Sequence, residues 1–485
     1  MLTTKEAAEI LGVSSRRVNA LIEVGALKAE RLGRSWAVDE GSVRQRAAAE
    51  RLRGRPSARS KAALHRARYT LMNRDREVLA FMYDFRSGEV TELEPLDGIA
   101  AKPFGVGRLD KSPNRYDLAE WLRNRAIPSG RPHLPAALRH WSLGTPAELM
   151  FASWGLSLTD AYWFRPEGAE ASWSAVNYFD NGYDEDFGDA LLDEGPVGQP
   201  LGGGKHALDC PRIFHAAGPA GGNARAAIAQ TPDSTTNGML GKRWVRQRDG
   251  DYLIKGGSGN ENREPFNEKL ACRLLARLLE SEEFVEYEIV ERHGRAYSSC
   301  KNMVGVGAEL IPAQDVLTAF AVTEGRDLHR GYLDALAQLE VPGARRLVDK
   351  MIVVDHLMAN FDRHTRNFGL IRDAETLDGY RVAPLFDHGC GFYSRATTAE
   401  LEARPYSWLS HPFREYPSQQ LALVEDLAWY DPSALAGFED DIADVLGENP
   451  EIDECFIAAV QKQTAHQIAS VNALAAERGI VVAGW

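Results

Sequence analysis

The run Asn360-Phe361-Asp362-Arg363-His364-Thr365-Arg366-Asn367 brings two acid or amide groups, Asp362 and Asn367, within five positions of each other. Twenty residues beyond Asn367 comes Asp387-His388-Gly389. An aspartate can accept a proton from a hydroxyl, and a second aspartate with an asparagine offers hard oxygen ligands for Mg²⁺. Together they suit the transfer of a phosphoryl group, which is mostly positioning plus neutralisation of phosphate charge. Other residues could serve the same chemistry upstream. Lys255 could pair with phosphates, Glu268 could orient that lysine, and Ser234-Thr235-Thr236-Asn237-Gly238 could form a loop covering the phosphates. The order along the chain is loop, lysine, glutamate, aspartate, asparagine, aspartate. Each part alone has a plain reading. Asp362 and Asn367 could cap a helix and turn. Lys255 could guard a sheet edge. Glu268 could be an acid favoured by a helix dipole, and Ser234 to Thr236 could be only a turn. The ordered set is what argues for chemistry.

These residues need elements to hold them. Met239 to Arg246 and Tyr252 to Lys255 read as two strands around Arg248-Asp249-Gly250-Asp251, a good hairpin turn. Lys255 then ends the second strand. Asn267 to Leu279 reads as a helix that starts near Glu268. Phe284 to Arg292 and Arg295 to Cys300 read as a second hairpin turning at His293-Gly294. An amphipathic helix, Ala344 to Met358, leads into the Asp362 run. Strand-like Arg381 to Phe386 leads into Asp387. From about residue 312 the chain reads as mostly helical. Residues 67–100 alternate as strands do, and 101–235 read as a mixed accessory α/β region to which no chemistry is assigned.

The N-terminus differs in charge. Residues 1–68 hold 15 Lys/Arg against 7 Asp/Glu, whereas the whole chain has a net charge of −13. A basic head is what a phosphate-binding module needs, although a solvated helical face has the same composition. Thr3 and Glu6 form a capping-box pattern that opens a helix through Leu11. Gly12-Val13-Ser14 is a turn, and Arg16 to Val24 a second helix. Ala7, Ala8, Ile10 and Leu11 should face Val18, Leu21 and Ile22. Leu27 to Leu32 and Ser35 to Val38 read as a small hairpin, Asp39 to Arg53 as a third helix, and Arg51 to Ser60 as a basic linker. Two short helices joined by such a turn make a helix-turn-helix. The five cysteines are widely spaced with no Cys-x-x-Cys pair, which argues against a zinc site or disulfide scaffold. The N-terminus has no apolar signal core, and no apolar run is long enough to span a membrane. A cytoplasmic protein that does not engage membranes is therefore expected.

The strings DRHTRNFGL, APLFDHGCGF and YLIKGG resemble the HipA-like serine/threonine kinases of bacteria. The resemblance is best over roughly 230–395. It implies an α+β, bilobal protein-kinase-like fold, ATP with Mg²⁺, and a protein substrate carrying a Ser/Thr hydroxyl. By position it makes Asp362 the catalytic base and Asn367 and Asp387 the metal ligands. Lys255 would contact the α/β-phosphates and pair with Glu268, and Lys242 would add a phosphate contact. Ser234 to Gly238 would line the nucleotide. Some members are toxins with a DNA-binding antitoxin partner, and members can autophosphorylate a hydroxyl in the phosphate loop; here Ser234, Thr235 and Thr236 are the candidates. Two features depart from the general kinase pattern: only Gly238 and Gly241 remain in the phosphate loop, and His388 replaces the aromatic of the third motif. TTKEAAEILGVSSRRVNALIEVGAL and RLGRSWAVDEGSV resemble the excisionase/MerR-like winged helix-turn-helix. That implies duplex DNA bound through residues 1–56, with Ser15, Arg16, Arg17 and Asn19 opening the recognition helix and Arg34 at the wing tip. One such head reads few base pairs, so a homodimer or weak binding is expected. The expected organisation is a head over 1–56, a linker over 57–66, an accessory region over 67–230, an N-lobe core over 231–310 and a helical C-lobe over 311–485. The competing function is a transcriptional regulator whose kinase-like body binds nucleotide without transferring phosphate.

Overall fold

The computed structural model describes residues 1–11, 15–23, 27–32, 35–43, 65–140, 143–192, 231–259, 261–323, 327–403 and 405–479. The chain divides into two compact units, Met1–Arg66 and Ala67–Trp485.

In the first unit, β1 (Leu2–Thr3) precedes helices α1 (Thr4–Leu11) and α2 (Ser15–Glu23), and a hairpin of β2 (Ala29–Leu32) and β3 (Ser35–Val38) follows. The capping box is formed: Thr3 N donates to Glu6 Oε2 at 2.8 Å and Glu6 N donates to Thr3 Oγ1 at 3.2 Å. These bonds satisfy backbone donors that a helix start leaves open. Ala7, Ala8, Val18, Leu21 and Ile22 are buried together with Leu27, Val38 and Val43. Ile10, expected in that core, is 38% exposed. It lies on the outer face of a helix too short to bury both sides. β3 pairs with β1 as well as β2 in an antiparallel sheet. The β1 strand was not expected, since Thr3 read only as a cap. Of the expected third helix, residues 40–43 are described as helical; the linker 51–60, Gly33 and Arg34 lie outside the described residues.

The second unit is built on three antiparallel sheets. The accessory sheet runs β6-β5-β4-β7, from β4 (Arg66–Asn73), β5 (Arg76–Asp84), β6 (Glu89–Pro95) and β7 (Tyr162–Pro166). Helix α3 (Arg115–Arg125) covers it, burying Leu118, Trp121 and Leu122. The second sheet runs β10-β11-β9-β8, from β8 (Lys242–Gln247), β9 (Gly250–Lys255), β10 (Glu288–Arg292) and β11 (Arg295–Lys301). Its first strand starts three residues later than the apolar pattern suggests, because Met239 to Gly241 stays outside the ladder. Helix α4 (Arg263–Leu278) packs on this sheet. The third sheet runs β12-β13-β14, from β12 (Ala308–Pro312), β13 (Gly369–Asp373) and β14 (Arg381–Val382). Beyond 312 the described chain is chiefly helical, as expected, and β14 falls within the strand-like Arg381 to Phe386; β13 is the strand that was not read. Gly369 to Asp373 is too short to show alternation, and its partner strand lies some sixty residues earlier.

The core extends across the expected lobe boundary. Phe266, Leu270, Leu274 and Leu275 of α4 belong to the same buried cluster as Met351 and Val354 of α5 (Ala344–Leu357) and Val460 and Val471 of α6 (Glu454–Glu477). Each such side chain contributes about 1.5–3 kcal/mol by burial. Helix α4 is thus fixed against both the sheet and the C-terminal helices. No helix among the described residues is long and apolar enough to cross a membrane.

Candidate active site

Strand pairing sets the first part of the site. Lys255 is the last residue of β9, and its cross-strand partner on β8 is Lys242. The two lysines share one sheet face, and both are buried. Like charges opposite each other repel, so this pair is sustainable only beside anions.

Two carboxylates answer Lys255. Its Nζ donates to Glu268 Oε1 and, at 2.6 Å, to Asp387 Oδ1. It also lies 5.3 Å from the centre of the Tyr287 ring. Helix α4 begins four residues earlier than its apolar pattern suggests. Glu268 therefore sits in the second turn, past the reach of a simple dipole role. Only 1% of it is exposed, and its second oxygen accepts the His388 backbone N–H at 2.8 Å. Burial opposes a charged Lys255, but the Asp387 and Glu268 carboxylates outweigh it and hold the ammonium well above the usual lysine range. Burial would likewise raise Asp387, yet Lys255 and Lys242 depress it below the usual carboxylate range. Glu268 is raised, chiefly by burial. Lys242 is lowered to about 7 because it is buried, with Lys255 and Arg131 opposing its charge and Asp387 supporting it.

Asp387 has φ +62°, a left-handed conformation that non-glycine residues seldom adopt. It is held there by the Lys255 bond, by its own N–H to Tyr287 Oη at 3.3 Å, and by the His388–Glu268 bond. Gly389 lets this turn close on α4: a Cβ there would lie 3.1 Å from Glu264 Cβ and 3.2 Å from Glu264 O. His388 is fully buried and neutral, since burial drives it well below the usual histidine range. Its ring nitrogens make no hydrogen bond among the described residues.

Arg363 ties the other loop to this one. Its guanidinium is wholly buried and binds Asp355 through Nε–Oδ2 at 2.8 Å and Nη2–Oδ1 at 3.0 Å. The remaining nitrogen, Nη1, donates to Asn367 O at 2.7 Å and to Phe386 O at 2.5 Å. One nitrogen thus joins the backbone of Asn367 to the residue before Asp387. Asn360 completes the turn, with Nδ2 to Asp355 Oδ1 at 2.9 Å and Oδ1 accepting Asp362 N at 3.2 Å. Asn367 Nδ2 donates to Asp362 O at 3.1 Å. Asn367 Oδ1 and Asp387 Oδ2 accept no hydrogen bond from the described residues. Two unpaired hard oxygens on adjoining loops fit a divalent cation. The half-buried Asp362 carboxylate contacts Cys390 Sγ at 3.7 Å and has no cation bonded to it among the described residues. A free carboxylate of this kind can take a proton.

The structure thus joins Lys255, Glu268, Asp387, Asp362 and Asn367 through direct bonds or through Arg363, and sets Lys242 opposite Lys255. Gly238, at φ +88°, sits against Lys242: a Cβ there would lie 2.7 Å from Nζ. The hydroxyls of Ser234, Thr235 and Thr236 are not brought to the site. Pro232–Thr235 is a turn of 3₁₀ helix packed between the accessory helix Pro146–Ala152 and strand β8. Ser234 is fully buried and its Oγ has no partner. Thr235 Oγ1 donates to Pro232 O and Leu156 O. Thr236 Oγ1 donates to Asp233 O and accepts from Arg131 Nη1 at 2.6 Å. The cause is Asp233, buried inside the turn and accepting from Trp244 N and Thr231 Oγ1. Asn237 is exposed. In the head, Ser15 is exposed at the start of α2, and Asn19 is half-buried, its Oδ1 covered and without a hydrogen bond among the described residues. Arg16 and Arg17 lie on the first turn of α2. Arg363, Arg131 and Tyr287 were not read from the sequence. Arg363 sits inside the quoted string and could have been suspected there; Arg131 and Tyr287 carry no local pattern.

Residues 1–51 match the family model described as a helix-turn-helix domain, so the expected head is present. No curated protein sequence matches the chain. Among solved structures, the Helicobacter pylori proinflammatory kinase CtkA is similar at 16% identity over 49% of this chain and 95% of that one, with a TM-score of 0.39. A chain from the Shewanella oneidensis MR-1 toxin–antitoxin complex of HipA, HipB and operator DNA is similar at 14% identity. It covers 83% of this chain and 97% of that one, with a TM-score of 0.49.

Proposed function

We propose that the protein is an ATP- and Mg²⁺-dependent protein serine/threonine kinase that carries its own DNA-binding head. The observation that supports this best is Lys255, buried between Glu268 and Asp387 and facing Lys242 in strand register. Two lysines on one buried face suit a polyphosphate. Asn367 Oδ1 and Asp387 Oδ2 would hold the divalent cation, which when bound neutralises phosphate charge. Asp362 takes the proton of the acceptor hydroxyl. Glu268 keeps Lys255 directed into the site, and Arg363 holds the two loops at fixed spacing. The head supports a second contact, with duplex DNA through Ser15, Arg16 and Arg17. Autophosphorylation at Ser234, Thr235 or Thr236 would require the 231–238 turn to leave its packed position.

The test is phosphotransfer from labelled ATP with Mg²⁺, comparing the full chain with Asp387→Asn and Asp362→Ala. Transfer should fall by about 10²–10⁴ in both variants. Nucleotide binding without transfer in the unaltered protein would instead make the body a nucleotide-binding regulator. For the head, DNA affinity should fall with rising salt and drop further in Arg16→Ala/Arg17→Ala, with phosphotransfer unchanged. Equal DNA binding by that variant would remove the DNA assignment.

A further inference from the structure

The accessory region was assigned no chemistry, yet it contributes one buried side chain to the phosphate end of the site. Arg131 lies in the turn after α3, with 1% of its surface exposed. Its fork makes four bonds to the 236–238 segment: Nε to Gly238 O at 3.0 Å, Nη2 to Gly238 O at 2.7 Å, Nη2 to Thr236 O at 2.7 Å, and Nη1 to Thr236 Oγ1 at 2.6 Å. Among the described residues no carboxylate is bonded to it. Next to it, Gly130 allows close contact: a Cβ there would lie 2.9 Å from Met239 Cε.

Peptide planarity then decides where the adjoining N–H groups point. In a trans peptide the C=O and the following N–H are antiparallel. With the carbonyls of Thr236 and Gly238 aimed at Arg131, the N–H groups of Asn237 and Met239 aim away from it. Neither N–H has a hydrogen-bond partner among the described residues. Between them Gly238 touches Lys242, the cross-strand neighbour of Lys255. The Gly238 N–H between them is bonded to Asn237 Oδ1 at 2.7 Å, so two alternate N–H groups beside a lysine are left to bind an anion.

We propose that Arg131 is a positioning residue for the phosphate-binding step: its guanidinium turns the 236–238 backbone so that the Asn237 and Met239 N–H groups are offered to phosphate oxygens beside Lys242. This rests on the kinase reading given above. It also assigns the accessory region a role in that step. A buried guanidinium bonded only to neutral oxygens is costly to keep, which agrees with its pKa being lowered to about 10 by burial. A role in orienting the loop explains why that cost is met.

The experiment compares the full-length protein with Arg131→Lys and Arg131→Gln, measuring binding of ATP–Mg²⁺ and of adenosine, together with the KM for ATP and kcat. Lysine keeps the charge and loses the fork. Glutamine keeps one donor group and serves if the lysine variant does not fold. The expected result is an ATP affinity about tenfold weaker and a KM raised to match, with adenosine affinity unchanged and kcat altered less than about threefold. Equal loss for ATP and adenosine would mean that Arg131 only maintains the fold and would overturn the proposal. Unchanged ATP affinity in a folded variant would overturn it too. If the unaltered protein binds adenosine but gains nothing from phosphates, the kinase reading itself fails and this inference goes with it.

Discussion

Two buried arginines hold two loops of one site in different ways. Arg363 fixes the 360–367 loop to the segment before Asp387, and Arg131 fixes the 236–238 segment. Both donate to backbone carbonyls and both are almost wholly buried. Arg363 is also paired with a carboxylate, Asp355, through two bonds. That pairing overcomes the burial that would lower its pKa and leaves it raised. Arg131 has no carboxylate bonded to it among the described residues; nearby Asp233 supports its charge, but burial outweighs this and lowers its pKa. An ion-paired fork makes a permanent brace, because releasing it would strand two buried charges. A fork bonded to neutral oxygens can let go at the cost of ordinary hydrogen bonds. Asp362, Asn367 and Asp387, the proposed base and metal ligands, stand on the permanent brace. The 236–238 segment, proposed to face phosphate, stands on the releasable one.

The largest effect expected from this contrast is on Arg363→Ala. It leaves Asp355 buried without its cation, and the loss should be about 3–5 kcal/mol. Chemical denaturation of the second unit measures it, and phosphotransfer should vanish with the loop geometry. Arg131→Ala should cost about 1–3 kcal/mol, since it strands neutral acceptors. Equal losses in the two variants would break the contrast.

Per pH unit the effect is smallest for Lys242, which a pH slope reports. In the folded chain its pKa is about 7, against 10.5 for an ordinary lysine. The unfolded chain therefore binds one proton more between these values. Stability should rise as pH increases from about 7 towards 10.5, with a slope of at most about 1.4 kcal/mol per pH unit from this group. Lys242→Met should flatten that rise and be the more stable protein at pH 6. Calorimetric stability at several pH values decides it. A slope that survives the substitution would show that another group carries it.

Local pattern was enough to read much of the molecule. The Thr3–Glu6 capping box, the β8–β9 turn at Asp249-Gly250 and the helices before Asp362 and around Glu268 were legible because each depends on neighbours a few residues away. So were the candidate site residues by type and order. Ile10 was misjudged because periodicity says which residues share a face and not whether that face is covered. The hydroxyls of Ser234 to Thr236 were misplaced because a buried carboxylate, Asp233, and a distant guanidinium, Arg131, set their direction. Strand β13 was missed because its partner lies far away in the chain.

The sequence by itself determined the types of group present and the order in which they come: base, amide, acid and two lysines, with a basic helix-turn-helix in front. Backbone preferences and side-chain chemistry are local and travel with the residue. Only the tertiary structure decided that Lys255 lies between Glu268 and Asp387, that Arg363 joins two loops by one nitrogen, and that Arg131 reaches the 236–238 segment from the accessory region. These contacts span 13 to 132 residues of chain. They exist only where long-range packing makes burying a charge less costly than leaving its partner alone.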